Sequence, residues 1–244
     1  MATNYFEVSR KHTYSLLFAL PLLVLYEVGA VMIRGEQQGI RNGADVMLRT
    51  LLAAGGLHGT VALTAVLALV SAVLIVRERR RERIPLQGGV FAGMMMESVA
   101  YALLFGFVVG GVTNWLLNAL LAIQGGAMER LPLLDSLVLS LGAGIYEELV
   151  FRVLLVGALL WTFRHAGVSR RASAVWSALI AAFLFSAFHY VGPYAYPLEL
   201  GSFTFRFLSG LAFSALFIVR GFGIAAWTHA LYDVFLVVAR GGLS

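Results

Sequence analysis

Long apolar runs recur along the whole chain with few charges inside them, and no other feature limits its possible folds so strongly. Seven stretches, at about 14–33, 60–76, 88–109, 136–161, 173–191, 203–219 and 222–239, have the length and apolarity of bilayer crossings. A crossing helix takes about 20 residues. The composition agrees, with 60% hydrophobic residues and a mean hydropathy of +0.85, where soluble domains run near 45–50% apolar. The expected fold is therefore an all-α, polytopic transmembrane helix bundle of seven spans. The shorter run 112–123 extends the third span, lies at the interface, or forms part of an eighth. The first run is too long for a cleaved signal and no small-residue cleavage site follows it. Neither linker composition nor an internal repeat divides the chain, so 1–244 reads as one integral membrane domain.

Charge placement sets an expected orientation. The net charge of +5 and pI near 9.8 are compatible with nucleic-acid binding, but the arginines flank apolar runs, which reads as topology and excludes a nucleic-acid partner. The segment RERRRER, Arg77 to Arg83, places five arginines between spans two and three and marks a cytoplasmic loop. Parity then puts Arg10, Lys11, Arg164, Arg170, Arg171 and Arg220 on the same side. Arg34, Arg41 and Arg49 fall on the other and count against this arrangement. The expected location is the plasma (inner) membrane of a prokaryote, with the lipid bilayer itself as a partner. Cysteine is absent, which removes disulfides, thiolate metal sites and cysteine nucleophiles.

Ionisable groups in hydrocarbon cost at least about 2.5–3.5 kcal/mol each, so those that occur there are functional candidates. Span four carries Glu147, Glu148 and Arg152 in GIYEELVFR. At 100° per residue, Glu148 and Arg152 lie within about 40° of each other, acid before base, and form the natural pair. Glu147 points about 100° away and lacks a partner on its own helix, which makes it the candidate general base. Span five ends in FLFSAFHY, with Phe185 and His189 at i, i+4. Span seven places His229 and Asp233 at the same spacing. Three helices thus bring carboxylates and imidazoles to membrane depth. Glu27 and Glu97 fall within spans one and three as counter-ions or cavity residues, and Arg206 reads as a side chain reaching for the interface.

These residues resemble the three motifs of the CPBP family, that of CAAX prenyl proteases of the Rce1 type, also called Abi proteins. The motifs are Glu147-Glu148-x-x-x-Arg152, Phe185-x-x-x-His189 and His229-x-x-x-Asp233, in order on three apolar segments. The resemblance covers about 136–238. It implies an intramembrane glutamic endopeptidase, with Glu147 and His189 activating a water. His229 and the residue at 233 would stabilise the tetrahedral oxyanion, and Glu148 and Arg152 would support the site. A membrane-associated protein or peptide is the implied substrate, and no cofactor is implied. Many members carry asparagine at 233, which donates a hydrogen bond directly. An aspartate does so only when protonated, or else acts by accepting from His229 and orienting it.

Other classes fit less well. H-E-x-x-H is absent, although Glu147, His189 and His229 form a conceivable zinc set. Phe207-Leu208-Ser209-Gly210 fails the G-x-S-G of a serine intramembrane protease, and Tyr232-Asp233 lacks the G-x-G-D partner of an aspartyl one. A proton-coupled transporter also places such groups at mid-membrane, but the chain shows no inverted repeat. A non-catalytic scaffold or binding member of the same family is the remaining alternative.

Overall fold

A chain with apolar side chains on every face has lipid as its solvent, and a helix satisfies its own backbone there. The computed structural model describes residues 4–33, 41–59, 61–82, 84–118, 131–192, 195 and 197–241. Among them no β-strand occurs. The helices are α1 (Tyr5–Val8), α2 (His12–Met32), α3 (Gly43–Ala54), α4 (Ala62–Glu82), α5 (Gly88–Asn118), α6 (Leu133–Gly142), α7 (Gly157–His165), α8 (Arg170–Phe188), α9 (Leu200–Arg220) and α10 (Phe222–Gly241). Large apolar side chains point outward, with Phe107 85% exposed and Met96 74%. In a bilayer these are lipid-facing positions. The molecule is an all-α membrane helix bundle.

Five segments are long and apolar enough to cross a membrane as single helices, namely His12–Met32, Gly88–Leu117, Arg170–Phe188, Leu200–Arg220 and Phe222–Ala239. The other two expected spans take different forms. The span expected at 60–76 lies in α4, which continues through Arg77 to Glu82, so the arginine segment forms helical turns where a loop was expected. The span expected at 136–161 runs through α6 and α7. The backbone between them is helical in the wider π form, at Ala143–Glu147 and Leu149–Val156. Residues 112–118 continue α5; 119–123, Arg34 and Arg83 lie outside the described residues.

Small residues let the central helices approach closely, which is how packing works where lipid is as apolar as the core. Ala225, Ala226 and Ala230 of α10 are buried. A methyl group on Gly144 would stand 2.5 Å from the Ala226 carbonyl oxygen and 2.6 Å from Ala230 Cβ. Only glycine lets the π-helical stretch touch the α10 backbone.

Contacts establish which helix ends lie together. Glu78 of α4 accepts from the Thr13 backbone N–H at 2.6 Å and from its hydroxyl at 2.7 Å. Lys11 meets Glu82 at 2.5 Å, and Arg220 donates to the Phe6 carbonyl at 3.2 Å. The start of α2, the arginine-rich end of α4 and the end of α9 therefore form one end of the bundle. Arg220 also grips Glu97 with two hydrogen bonds, of 2.5 and 2.7 Å, and both Tyr5 and Tyr101 donate to that carboxylate.

The opposite half of the bundle holds a second network. Arg41 and Arg49 each pair with both Glu27 and Asp45, at 2.6–3.3 Å. Tyr26 donates to Asp45 at 2.9 Å, and Tyr146 of the π-helical stretch donates to Glu27 at 2.7 Å. Glu27 and Glu97 are thus both counter-ions. Arg206 donates to the Tyr190 hydroxyl at 3.0 Å and to the Ser202 hydroxyl.

Candidate active site

The π-helical stretch, the C-terminal end of α8 and the middle of α10 meet in the bundle interior. Glu147 is buried, 7% exposed. Asn42, which caps α3 by accepting from the Ala44 N–H at 2.9 Å, donates its Nδ2 to Glu147 Oε1 at 2.8 Å. The other carboxylate oxygen, Oε2, faces His189 Nε2 at 4.0 Å. His189 Nδ1 lies 2.8 Å from the Phe185 carbonyl oxygen. A carbonyl only accepts, so Nδ1 carries the proton and Nε2 of the neutral ring turns its lone pair toward Glu147.

Glu148 and Arg152 are both fully buried. They form the expected i, i+4 ion pair, with Arg152 Nε 3.2 Å from Glu148 Oε2, a contact whose angles fall short of a hydrogen bond. The guanidinium also lies over the Phe185 ring, 4.4 Å from its centroid. The π form of the helix leaves both side chains on one face. Glu148 has a second partner that helix geometry alone does not reveal: its Oε1 is 2.8 Å from His229 Nδ1. The His229 ring stacks on Phe213 with centroids 4.4 Å apart.

Asp233, the expected orienting acceptor for His229, stands 3.6 Å from Nε2 with its side chain 30% exposed. Glu148 is the nearer acceptor, and it holds the opposite nitrogen. With Nδ1 donating to Glu148, His229 donates from Nε2 only as the imidazolium. Any hydrogen bond from this ring to a developing oxyanion therefore requires the doubly protonated form, flanked by Glu148 and Asp233. All six residues singled out in the sequence thus fall in one constellation. Among the described residues, no three His, Cys, Asp or Glu side chains are grouped so as to hold a metal ion.

Sequence reasoning missed Asn42 and Phe213. Asn42 lies 105 residues from Glu147 along the chain. Its only local signal is the Asn-Gly-Ala-Asp run opening α3, which reads as a helix cap and nothing more. Phe213 is one of many phenylalanines at helical spacing.

Residues 129–235 match the family model for type II CAAX prenyl endopeptidase Rce1-like. The segment belongs to the CAAX protease-like CPBP family. The match contains all three motifs and leaves out the first half of the chain, including Asn42. No curated protein matches the chain. No solved structure matches it either. The match is to a protease family, so it supports a hydrolase and implies a membrane-associated protein substrate.

Proposed function

We propose that the chain is an intramembrane endopeptidase that hydrolyses a peptide bond of a membrane-associated protein or peptide with a water activated by Glu147. The observation that carries this reading is the gap between Glu147 Oε2 and His189 Nε2. At 4.0 Å it is too wide for a direct hydrogen bond, and a water lying off the line between the two atoms bonds to both. Asn42 holds the far oxygen of Glu147, which keeps the near one aimed at that water.

The chemistry balances without a cofactor. The water oxygen forms a bond to the scissile carbonyl carbon as its proton passes to Glu147 Oε2. The resulting oxyanion accepts from the His229 imidazolium, and donors of this kind are worth about 2.7–4 kcal/mol each where measured. Collapse of the tetrahedral intermediate breaks the C–N bond as Glu147 returns the proton to the leaving amine. The products are a carboxylic acid and an amine, which pass one proton between them to leave as carboxylate and ammonium. Glu148 keeps the His229 ring in place, and Arg152 neutralises Glu148.

The test compares protein termini in membranes from cells producing wild type or Glu147→Gln at equal abundance. Glutamine keeps the shape and removes the base, so a set of new termini present with wild type is expected to vanish. Loss of those termini with Glu148→Gln but not with Glu147→Gln would reverse the two roles. Identical termini from active and substituted proteins would favour the scaffold reading. Activity is expected to survive strong chelators, and its loss with recovery specifically on adding zinc would establish a metalloprotease instead.

A further inference from the structure

We infer that the site is entered from the face of the membrane opposite the arginine-rich end. Its substrates are then membrane-held polypeptides whose scissile bond reaches the non-cytoplasmic surface. The substrate class rests on the protease reading above; the orientation does not.

The argument starts from the positions of the basic residues. Arg77, Arg79, Arg80 and Arg81 form the last turns of α4, and contacts place Lys11 and Arg220 at the same end. Arg164 ends α7, while Arg170 and Arg171 begin α8. At 1.5 Å per residue, the 19 residues of α8 carry the chain about 28 Å from Arg170 to His189. His189 is therefore close to a full bilayer core away from the arginines that open its own helix.

The arginines that weighed against this orientation lose much of their force. Arg41 and Arg49 are ion-paired with Glu27 and Asp45, and their side chains are only 13% and 18% exposed. They serve the fold as matched pairs, whereas the arginines of α4 project from the end of the bundle. The rule that short basic segments stay in the cytoplasm then makes the α4 end cytoplasmic. Arg206, in the second turn of α9, is likewise engaged, with Tyr190 and Ser202.

The site is approached from that opposite half. α8 stops at Phe188, and Ser186 donating to the Phe203 carbonyl and Tyr190 donating to Ser202, both at 2.8 Å, set its His189 end against the start of α9 in that half. Asn42, which touches Glu147, belongs to the segment that returns from the far end of α2. Tyr146, next to Glu147, bonds to Glu27 of the same half. The His189 end of α8 and the Asn42 start of α3 therefore lie on the side away from the arginines, which makes that side the shorter way in to Glu147.

The chain has no cysteine, so single Val191→Cys and Ala166→Cys variants report position cleanly. Intact cells are treated with a membrane-impermeant maleimide, and a parallel sample is permeabilised first. Val191→Cys is expected to react in intact cells, and Ala166→Cys, between Arg164 and Arg170, only after permeabilisation. Reaction of Val191→Cys only after permeabilisation, or not at all, overturns the inference. The wild-type and Glu147→Gln comparison of termini supplies the second arm, with changed termini expected on non-cytoplasmic segments. Changes confined to cytoplasmic segments overturn the entry face and leave the protease standing. Unchanged termini with outward labelling remove the protease reading and the substrate class with it, but not the orientation.

Discussion

Glu148 serves two partners at once, and substitutions separate the two services. It balances Arg152 at 3.2 Å and accepts from His229 Nδ1 at 2.8 Å, with both charged side chains fully buried. Glu148→Leu leaves a guanidinium without its counter-charge in the bundle interior, a loss of about 3–5 kcal/mol. That is a large share of the roughly 5–15 kcal/mol that stabilises a folded protein. Adding Arg152→Leu removes the stranded charge. Replacing a whole buried pair by apolar residues is neutral or stabilising by up to about 4 kcal/mol, set against about 1–3 kcal/mol for the orphaned His229 Nδ1. The double variant should therefore return to near wild-type stability. Its activity should not return, because an unanchored His229 forfeits on the order of 10²–10³ in rate, as loss of an oxyanion donor does. Thermal unfolding of the purified proteins in one detergent measures the first effect. Cleavage at matched abundance measures the second. A single variant as stable as wild type would refute the charge argument, and a double variant that cleaves normally would refute the anchoring of His229 by Glu148.

Gly144→Ala drives a methyl group into the α10 backbone, 2.5 Å from the Ala226 carbonyl oxygen; it should destabilise by about 1–3 kcal/mol and lower cleavage on the order of 100-fold by shifting Glu147. Unchanged melting and cleavage would show that the close approach is not needed. Asp233→Asn should retain substantial activity, since asparagine also donates or accepts beside His229, whereas Asp233→Ala should lose most of it and His229→Ala nearly all. Rates at matched membrane abundance check the series, and an Asp233→Ala protein as fast as wild type removes Asp233 from the site.

The helical bundle was legible because the signal for a crossing is one-dimensional: about 20 apolar residues in a row need no knowledge of neighbours. The Glu148–Arg152 pair was legible for the same reason, being a contact within one helix. The meeting of three helices was expected from their polar residues, but the particular partners set by packing between helices escaped. Gly142 and Gly144 beside Glu147 are visible in sequence, but nothing there says that they mark a close approach of helices and a wider, π-form backbone. Asn42 looks like an ordinary helix cap until α3 is laid against the π-helical stretch. Asp233 shares a face with His229 by spacing, yet the nearer acceptor comes from another helix, because stacking on Phe213 and contact with Glu148 set the ring's orientation. Arg41 and Arg49 read as free positive charges in sequence and are matched ion pairs in space.

The spacing of polar contacts separates scaffold from site. In the Glu97–Arg220 cluster the charged groups meet directly at 2.5–2.7 Å, which ties α5 to the end of α9. The Glu27–Asp45 network likewise meets Arg41 and Arg49 at 2.6–3.3 Å and reaches the π-helical stretch through Tyr146. Such closed networks hold their helices in one arrangement and leave little for a reactant to bind. Between them, Glu147 and His189 are held from behind, by Asn42 and by the Phe185 carbonyl, yet kept 4.0 Å apart in front. Two groups anchored on their far sides and separated by a gap fit for water are what preorganised catalysis requires, since no reorganisation is needed when the reactant arrives. Glu97 and Arg220, by contrast, close to hydrogen-bond distance.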